Sequence, residues 1–201
     1  MTVKTGSALE RFVTAAREWF AKEEDPERRW EGLKPILAEL IADPAVSRGA
    51  ASWPDCVVTD RAENLIFYED PDYGFAINGL TKAASSRSTS GGIHDHAHIY
   101  TLYGVLDGHE TIERYERVDD GSKPDYAEIQ ETTKFRAGPG DIDLVKPYEI
   151  HVERNYDERS VAVIIRSEKS GGFLQGRYDI ETGHYWQGYG PRQTPATMLS
   201  E

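Results

Sequence analysis

The chain has 201 residues, of which 38% are hydrophobic and 29% charged, and its formal net charge at pH 7 is −12. This length and composition predict one soluble globular domain. An acidic surface argues against nucleic acid or anionic lipid as partners, and no stretch approaches the ~20 apolar residues of a membrane helix. The single cysteine, Cys56, excludes an intramolecular disulfide, and no signal peptide is expected, so a cytoplasmic location is predicted.

Residues 7–42 carry the three- and four-residue apolar spacing of amphipathic helices. Asp25-Pro26 interrupts this spacing and Asp43-Pro44 ends it, because proline stops or restarts a helix. The pattern predicts two helices in antiparallel contact, followed by a polar connector with room for a third short helix. We expect residues 1–62 to form a helical segment packed on the remaining chain.

From Asn64 onward, short β-rich runs alternate with turn signals such as Asp107-Gly108 and Gly138-Pro139-Gly140. Many short strands at roughly ten-residue spacing are typical of an antiparallel sandwich or barrel. The sequence therefore predicts a mostly β domain over residues 63–190. Residues 191–201 are predicted to be a loosely ordered tail.

The stretch GGIHDHAHIYTLYGVLDG contains three histidines at alternate positions: His94, His96 and His98. Because successive side chains of a strand point to opposite faces, alternate histidines can share one face. Two neutral imidazoles at this spacing can bind one metal ion. Histidines at this spacing also occur on exposed strands, so this stretch alone does not establish a site.

A second stretch, GPGDIDLVKPYEIHVERN, combines a glycine-proline turn with His151 and Asn155. The two stretches together resemble the two motifs of the cupin superfamily. In the first motif, His94, His96 and Gly108 match; in the second, Gly140, Pro147, His151 and Asn155 match. The resemblance implies a double-stranded β-helix, or jelly-roll barrel, in which His151 lies beside His94 and His96 as the third metal ligand.

The chain departs from the first cupin motif at one ligand. The family carries a glutamate where this chain has Thr101, so the resemblance implies a neutral three-histidine site. Such a site on an octahedral ion leaves up to about three positions for substrate and dioxygen. His98, Glu110 and Glu149 are the alternative ligands that the sequence offers.

A cupin without that glutamate resembles the thiol dioxygenases, meaning cysteine dioxygenase and 3-mercaptopropionate dioxygenase. The resemblance includes the runs NLIFYEDPDYGFAINGL, GVLDGHETIERYERVDDG and GRYDIETG, and so covers most of the chain. It implies a mononuclear ferrous ion, Fe(2+), that binds a thiolate and O2 and produces a sulfinic acid. It leaves a monomer or a homodimer open, with a small-molecule substrate and O2 as the partners.

The chain also departs from the Ser-x-His-x-Tyr relay of the thiol dioxygenases. The best register places Ala162, Ile164 and Arg166 on the three relay positions, and an apolar strand cannot hydrogen-bond a thiolate. Two further hypotheses therefore stay open. One is a metal-dependent cupin with other chemistry, namely a C–C bond-cleaving dioxygenase, a lyase or an isomerase. The other is a ligand-binding cupin without catalysis.

Three arginines are candidates for holding an anionic substrate. Arg166 would point into the barrel and bind a substrate carboxylate or phenolate, unless it forms a salt bridge with Glu149 or Glu168. We assign Arg166 a catalytic role, and Arg87 and Arg177 a role in substrate binding.

Two tyrosines flank the metal strand, and one of them is expected to face the pocket. A tyrosine there could donate a hydrogen bond to bound oxygen, although plain packing is the alternative. We assign Tyr100 to catalysis and Tyr103 to substrate binding.

Overall fold

The computed structural model describes residues 6–54, 64–82, 92–155 and 158–199. Arg87 and Cys56 lie outside the described residues. The N-terminal part contains three helices: α1 Ala8–Phe20, α2 Pro26–Ile41 and α3 Pro44–Ala50. Within the described residues, no helix combines the length and apolarity that crossing a membrane requires.

Polar residues fix where these helices begin. Ser7 and Glu10 form a reciprocal capping box at α1, in which each side chain accepts from the other residue's backbone N–H. At α2, the Asp25 side chain accepts from the backbone N–H of Arg28, and Asp43 caps α3 in the same way. The predicted break at Asp25-Pro26 and end at Asp43-Pro44 therefore coincide with observed helix starts, because proline is favoured just after a cap.

The described residues after residue 63 form strands joined by turns and loops. Their bounds are β1 Asn64–Glu69, β2 Ala76–Lys82, β3 Ile93–His94, β4 Thr101–Asp107, β5 Glu110–Arg117, β6 Ile129–Ala137, β7 Ile142–Val145, β8 Ile150–Arg154, β9 Ser160–Arg166, β10 Leu174–Tyr178, β11 Tyr185–Tyr189 and β12 Gln193–Pro195.

The strands form two six-stranded sheets. Sheet A has the order β12-β1-β2-β9-β4-β7, and sheet B has the order β11-β10-β3-β8-β5-β6. Strand pairing is antiparallel except between β1 and β12. Neighbours such as β2 and β9, or β3 and β8, are distant in sequence, as expected when the chain crosses repeatedly between the sheets of a jelly roll. The predicted mostly β jelly roll with N-terminal helices is confirmed.

Sheet A separates two buried regions. Its outer face packs against the helices through Leu102 and Ile165, which are fully buried with Leu37 of α2 in one apolar cluster. Gly104 permits this close packing, since a Cβ there would lie 3.0 Å from Ile41 Cγ2. The inner face, which includes Ile164, turns toward sheet B.

Alternation along β8 directs the polar side chains of sheet B inward. Ile150 and Val152 belong to a separate apolar cluster with Tyr178. The residues between and after them, His151 and Glu153, point to the opposite face, into the space between the sheets. Both are buried, with 0% and 4% of their surface exposed.

The C-terminal segment differs from the loosely ordered tail predicted for it. β12 pairs with β1, and Met198 is buried against the helices with 2% of its surface exposed. Its backbone oxygen accepts a hydrogen bond from Trp53 Nε1 at 3.0 Å. The pairing of β12 with β1 and the burial of Met198 order this segment, although segments near a terminus are often loosely ordered.

The helix–sheet interface can be tested by shortening Leu37, which has no exposed surface. We expect Leu37→Ala to lower the free energy of unfolding by about 2–5 kcal/mol, because the barrel cannot collapse around the cavity. Leu174→Ala is the matched control, since Leu174 is 42% exposed, and it should change stability by less than about 0.5 kcal/mol. Equal losses in urea denaturation would contradict this account of the interface.

Candidate metal centre

Three histidines meet between the sheets, as the sequence predicts. His94 on β3 is directly paired with His151 on β8, and His96 follows in the next loop. One nitrogen from each of the three rings lies within 4.8 Å of the other two. The described structure thus brings together donors from β3, its following loop and β8.

His98 does not join them. The strand ends at His94, and the backbone turns at Ala97 with a φ of 52°, which breaks the alternation that the sequence pattern assumed. His98 is half-exposed, and its Nε2 lies 3.0 Å from Glu168 Oε2. The turn therefore keeps His96 at the centre and sends His98 to the surface.

Asp95 holds this turn in place, a role that the sequence analysis missed. Its Oδ1 accepts from the backbone N–H groups of Ala97 at 2.8 Å and Gly176 at 3.0 Å. Its Oδ2 accepts from the Tyr178 hydroxyl at 2.8 Å. An aspartate bonding two residues ahead is a local signal of a turn, but the contacts to β10 need the fold.

Backbone carbonyls orient two of the imidazoles. His94 Nδ1 lies 3.0 Å from the Gly92 oxygen, and His151 Nδ1 lies 3.2 Å from the Glu149 oxygen. A carbonyl only accepts, so we assign the proton to Nδ1 in both rings. The Nε2 of His94 then directs a lone pair inward, and it lies 3.2 Å from the Nε2 of His96. Converging lone pairs of this kind require a proton or a cation between them.

Burial keeps two of these imidazoles neutral at pH 7. It lowers the pKa of His94 to about 3 and the pKa of His96 well below its ordinary value, and the neighbouring His151 adds to both effects. A neutral imidazole is the form that binds a metal ion. The donor set therefore fits a divalent transition metal, and imidazoles of this kind accept iron, nickel, copper or zinc alike.

Glu153 is the carboxylate nearest to the histidines, and the sequence analysis did not select it. Its Oε1 lies 3.2 Å from His151 Nε2. Although burial opposes it, the Glu153 carboxylate raises the pKa of His151. His151 in turn lowers the pKa of Glu153 well below its usual range, against the effect of burial. The signal was available, because a His-x-Glu pair on one strand shares a face.

The two carboxylates that the sequence suggested instead are engaged elsewhere. Glu149 Oε1 forms a salt bridge with Arg114 Nη1 at 2.7 Å. Glu110 pairs with Lys82 Nζ at 3.1 Å and accepts from the Ser160 hydroxyl at 2.7 Å. Neither is in the group of donors that surrounds His151.

A cavity of about 400 Å³ opens onto the histidines. Its polar lining is Asn64, Lys82, His94, His96, Tyr103, Glu153, Arg166, Gln175 and Arg177, with Leu80, Ile93, Trp186, Tyr189 and Pro191 among the other residues. This volume is in the range of sites for small molecules.

Arg166 lies in this cavity with 3% of its surface exposed. Its Nη1 donates to Asn78 Oδ1 at 3.1 Å, and with the Asn64 amide oxygen turned toward it, Nη2 donates to that oxygen at 2.8 Å. The alternative salt bridges do not form, since Glu149 pairs with Arg114 and Glu168 contacts His98. Within the described residues, no carboxylate lies within ion-pair distance of this guanidinium, and its Nε has no hydrogen-bond partner.

The predicted tyrosines have opposite orientations. The Tyr103 hydroxyl reaches into the cavity, 3.3 Å from His96 Nε2, and interacts with Arg166 and Glu153. Tyr100 precedes Tyr103 by an odd number of residues and faces the helices, where its ring is stacked parallel to Trp30 at 5.8 Å. Its position does not fit the catalytic role predicted for it, because the barrel wall lies between its ring and the cavity.

Arg177 lines the cavity beside the histidines, paired across β10 and β3 with His94. Its Nη2 donates to Gln175 Oε1 at 3.2 Å. Arg87, the other predicted substrate anchor, is outside the described residues, so its predicted role stays a prediction.

Alternation along β9 turns Ala162, Ile164 and Arg166 toward the interior of the barrel. Ile164 is paired with Tyr103, and Ala162 with Val105. Ala162 and Ile164 are buried with Tyr103 in one apolar cluster on the inner face of sheet A. The inner face of sheet A beside the three histidines is therefore apolar at Ala162 and Ile164 and charged at Arg166.

Comparison with known proteins finds solved structures of low sequence identity and low TM-score. No family model matches the chain, and no curated protein matches it. The cupin domain of Schizosaccharomyces pombe Cnp3 is similar at 11% identity over 53% of this chain and 64% of that one, with a TM-score of 0.39. KdgF from Halomonas sp. is similar at 17% identity over 53% of this chain and 77% of that one, with a TM-score of 0.39.

BH2720 from Bacillus halodurans is similar at 10% identity over 62% of this chain and 80% of that one, with a TM-score of 0.42. The match spans less than two thirds of the Cnp3 domain. Two sheets crossed in jelly-roll order, with histidines from both sequence motifs between them, decide the architecture. The fold is a jelly-roll barrel with N-terminal helices.

Removing His151 tests the assignment of the ligands. We expect His151→Ala to weaken metal binding more than about 100-fold, since loss of an outer-shell partner alone costs about 10- to 100-fold. His98→Ala and His109→Ala are the controls, because these side chains contact Glu168 and Glu158 at the surface. Metal content after purification and a chelator competition measure the effect. Equal loss in all three variants would mean that the third ligand is wrongly chosen.

Proposed function

We propose that the protein is a mononuclear non-haem iron dioxygenase that acts with O2 on a small thiol acid and releases the sulfinate. The observation that carries this proposal is the convergence of three imidazoles beside a cavity that also holds a buried arginine without a carboxylate partner among the described residues. The resemblance to the thiol dioxygenases along most of the chain supports the same chemistry. We propose a monomer or homodimer without nucleic acid or membrane as partners.

A ferrous ion held by His94, His96 and His151 would supply coordination of the thiolate and of O2, with both oxygen atoms passing to the sulfur. The protein's own contribution is to hold and orient the substrate. We propose that Arg166, which lines the cavity, binds the substrate carboxylate, because a charge-assisted hydrogen bond is strong in a buried site. The neutral amides of Asn64 and Asn78 hold the guanidinium without neutralising it.

Tyr103 is proposed as a hydrogen-bond donor to the bound ligands. Burial raises the pKa of its hydroxyl well above the ordinary value, so the group keeps its proton at neutral pH. It thereby offers one hydroxyl where the thiol dioxygenases carry a relay on the neighbouring strand. Ala162 and Ile164 exclude water on that side.

The same apolar wall favours a second candidate function. Because Ala162 and Ile164 offer no hydrogen bond, the metal could act on a substrate that has no thiolate to stabilise. A lyase or isomerase would then use the metal as a Lewis acid, and a C–C bond-cleaving dioxygenase would consume O2.

Oxygen dependence separates these functions. We expect the iron-loaded protein to consume O2 with at least one thiol carboxylic acid and to place two labelled atoms from ¹⁸O2 in the product, measured by an oxygen electrode and mass spectrometry. Anaerobic turnover of an organic acid would instead support the lyase or isomerase. If no metal binds, and no member of a thiol and organic-acid panel turns over, the enzymatic proposal fails and a ligand-binding cupin stands.

Arg166→Met tests carboxylate recognition. Loss of a charged hydrogen bond of about 1.5–3 kcal/mol predicts a KM for the thiol acid raised about 10- to 100-fold, with metal content unchanged. Arg136→Met is the control, because Arg136 is largely exposed and contacts Glu158 at the surface. An unchanged KM in Arg166→Met, or an equal rise with a thiol that lacks the carboxylate, would remove Arg166 from substrate binding.

A further inference from the structure

We propose that the cavity beside the histidines has a subsite for a planar apolar group of the substrate, formed by Trp186, Tyr189 and the open position at Gly188. The substrate would then be a thiol acid that carries an aryl group rather than a three-carbon thiol acid. This inference rests on the proposed function and deepens it, because it names the class of substrate.

The cavity is larger than a small thiol acid requires. Its volume is about 400 Å³. At about 30 Å³ for each water-sized group, that volume has room for roughly a dozen non-hydrogen atoms, about twice the number in a three-carbon thiol acid. The rest of the cavity is therefore filled either by solvent or by a further part of the substrate.

A row of paired residues runs from the histidines to the edge of sheet B. His94 on β3 is paired with Arg177 on β10, and Arg177 is paired with Trp186 on β11. Directly paired residues project to the same face of a sheet, and all three line the cavity. Adjacent strands are about 4.8 Å apart, so the backbone of Trp186 lies about 10 Å from that of His94. A three-carbon thiol acid bound at the histidines is too short to contact Trp186.

The two aromatic side chains form an apolar surface at the mouth of this cavity. The Trp186 ring is stacked on His184, with ring centroids 5.0 Å apart and an angle of 18° between the ring planes. Trp186 is 43% exposed and Tyr189 is 49% exposed, although both line the cavity. An aryl group placed against them gains stacking in addition to the burial of apolar surface. The pair therefore favours an aryl group over an aliphatic or charged one.

Gly188 leaves space beside this aromatic pair. It is paired with Gln175, a buried residue of the cavity wall. No heavy atom of the described chain lies within 4 Å of a Cβ built at Gly188. Glycine weakens a strand, because it has high freedom in the unfolded chain and no side chain to pack. Since close packing does not require this glycine, we assign it the role of keeping the cavity open next to Trp186.

Opposite walls hold the different parts of such a substrate. Arg166 projects from β9 in sheet A, whereas Trp186 projects from β11 in sheet B. With the carboxylate at Arg166 and the sulfur at the metal, a substituent on the connecting carbon chain is the part left to contact sheet B. That contact is with uncharged side chains, which suits an apolar substituent.

Calorimetric titration of the full chain, loaded with Fe(II) and kept free of O2, tests the proposal without turnover. The probes are 3-mercaptopropionate and 2-benzyl-3-mercaptopropionate, which differ only in the benzyl group. We expect the benzyl compound to bind at least about 10-fold more tightly, since stacking adds to apolar burial. Trp186→Ala removes the aromatic surface and Gly188→Val fills the open space, so each should reduce this affinity ratio below about 3-fold.

Gly172→Val is the matched control. A Cβ at Gly172 also meets no heavy atom of the described chain within 4 Å, but Gly172 is outside the cavity lining. This variant should keep the wild-type affinity ratio. An equal fall of the ratio in Gly172→Val would overturn the subsite.

The outcomes separate this inference from the proposed function. If neither thiol binds to the iron-loaded protein, the proposed function itself is overturned. If 3-mercaptopropionate binds and the benzyl compound binds no more tightly, or if its advantage survives in either variant, only the aryl subsite is overturned. Should Trp186→Ala not fold, Gly188→Val decides alone, because valine is favoured in strands and has space at that position.

Discussion

The structure depends on one electrostatic constraint: imidazole lone pairs and a carboxylate are directed into the same water-poor space between two sheets. Burial keeps His94 and His96 uncharged, whereas Glu153 raises the pKa of His151, with which it is paired. Buried polar groups of this kind are tolerated only when each is satisfied. A cation held by the three histidines would satisfy their converging donor atoms together, so the interior of this barrel has the features of a site as well as a core.

The rest of the fold gives that space its rigidity. Sheet A is supported from outside by α1 and α2, through a continuous apolar cluster. Sheet B is covered on its outer face by a smaller cluster that includes Ile150 and Val152. Because both sheets are packed on their outer faces, the polar side chains between them are held in fixed positions, as a precise metal or substrate site needs.

The sequence predicted the elements whose signals are local or repeated. The helix breaks at Asp25 and Asp43, the jelly roll and the meeting of His94, His96 and His151 all follow from caps, turns and paired motifs. The inward orientation of Arg166 was also predicted, because side chains alternate between the two faces of a strand.

The remaining features depend on contacts between distant segments. Tyr100 and Tyr103 are the same residue type and lie close together in the sequence. Only the packing of Tyr100 against Trp30 of α2 shows which of the two faces the cavity. Glu153 was overlooked because the cupin motif directs attention to a carboxylate on another strand. Its role becomes visible only when the distance to His151 is known.

The contact between Trp53 and Met198 joins residues 145 positions apart in the chain. The N-terminal helices are synthesised first. Met198, which covers part of α3, follows β12 and is synthesised much later. Such long-range closure is slow in folding, because a large loop must be ordered before the contact forms. During synthesis, the apolar surface that Met198 covers therefore stays exposed until the residues after β12 have been added.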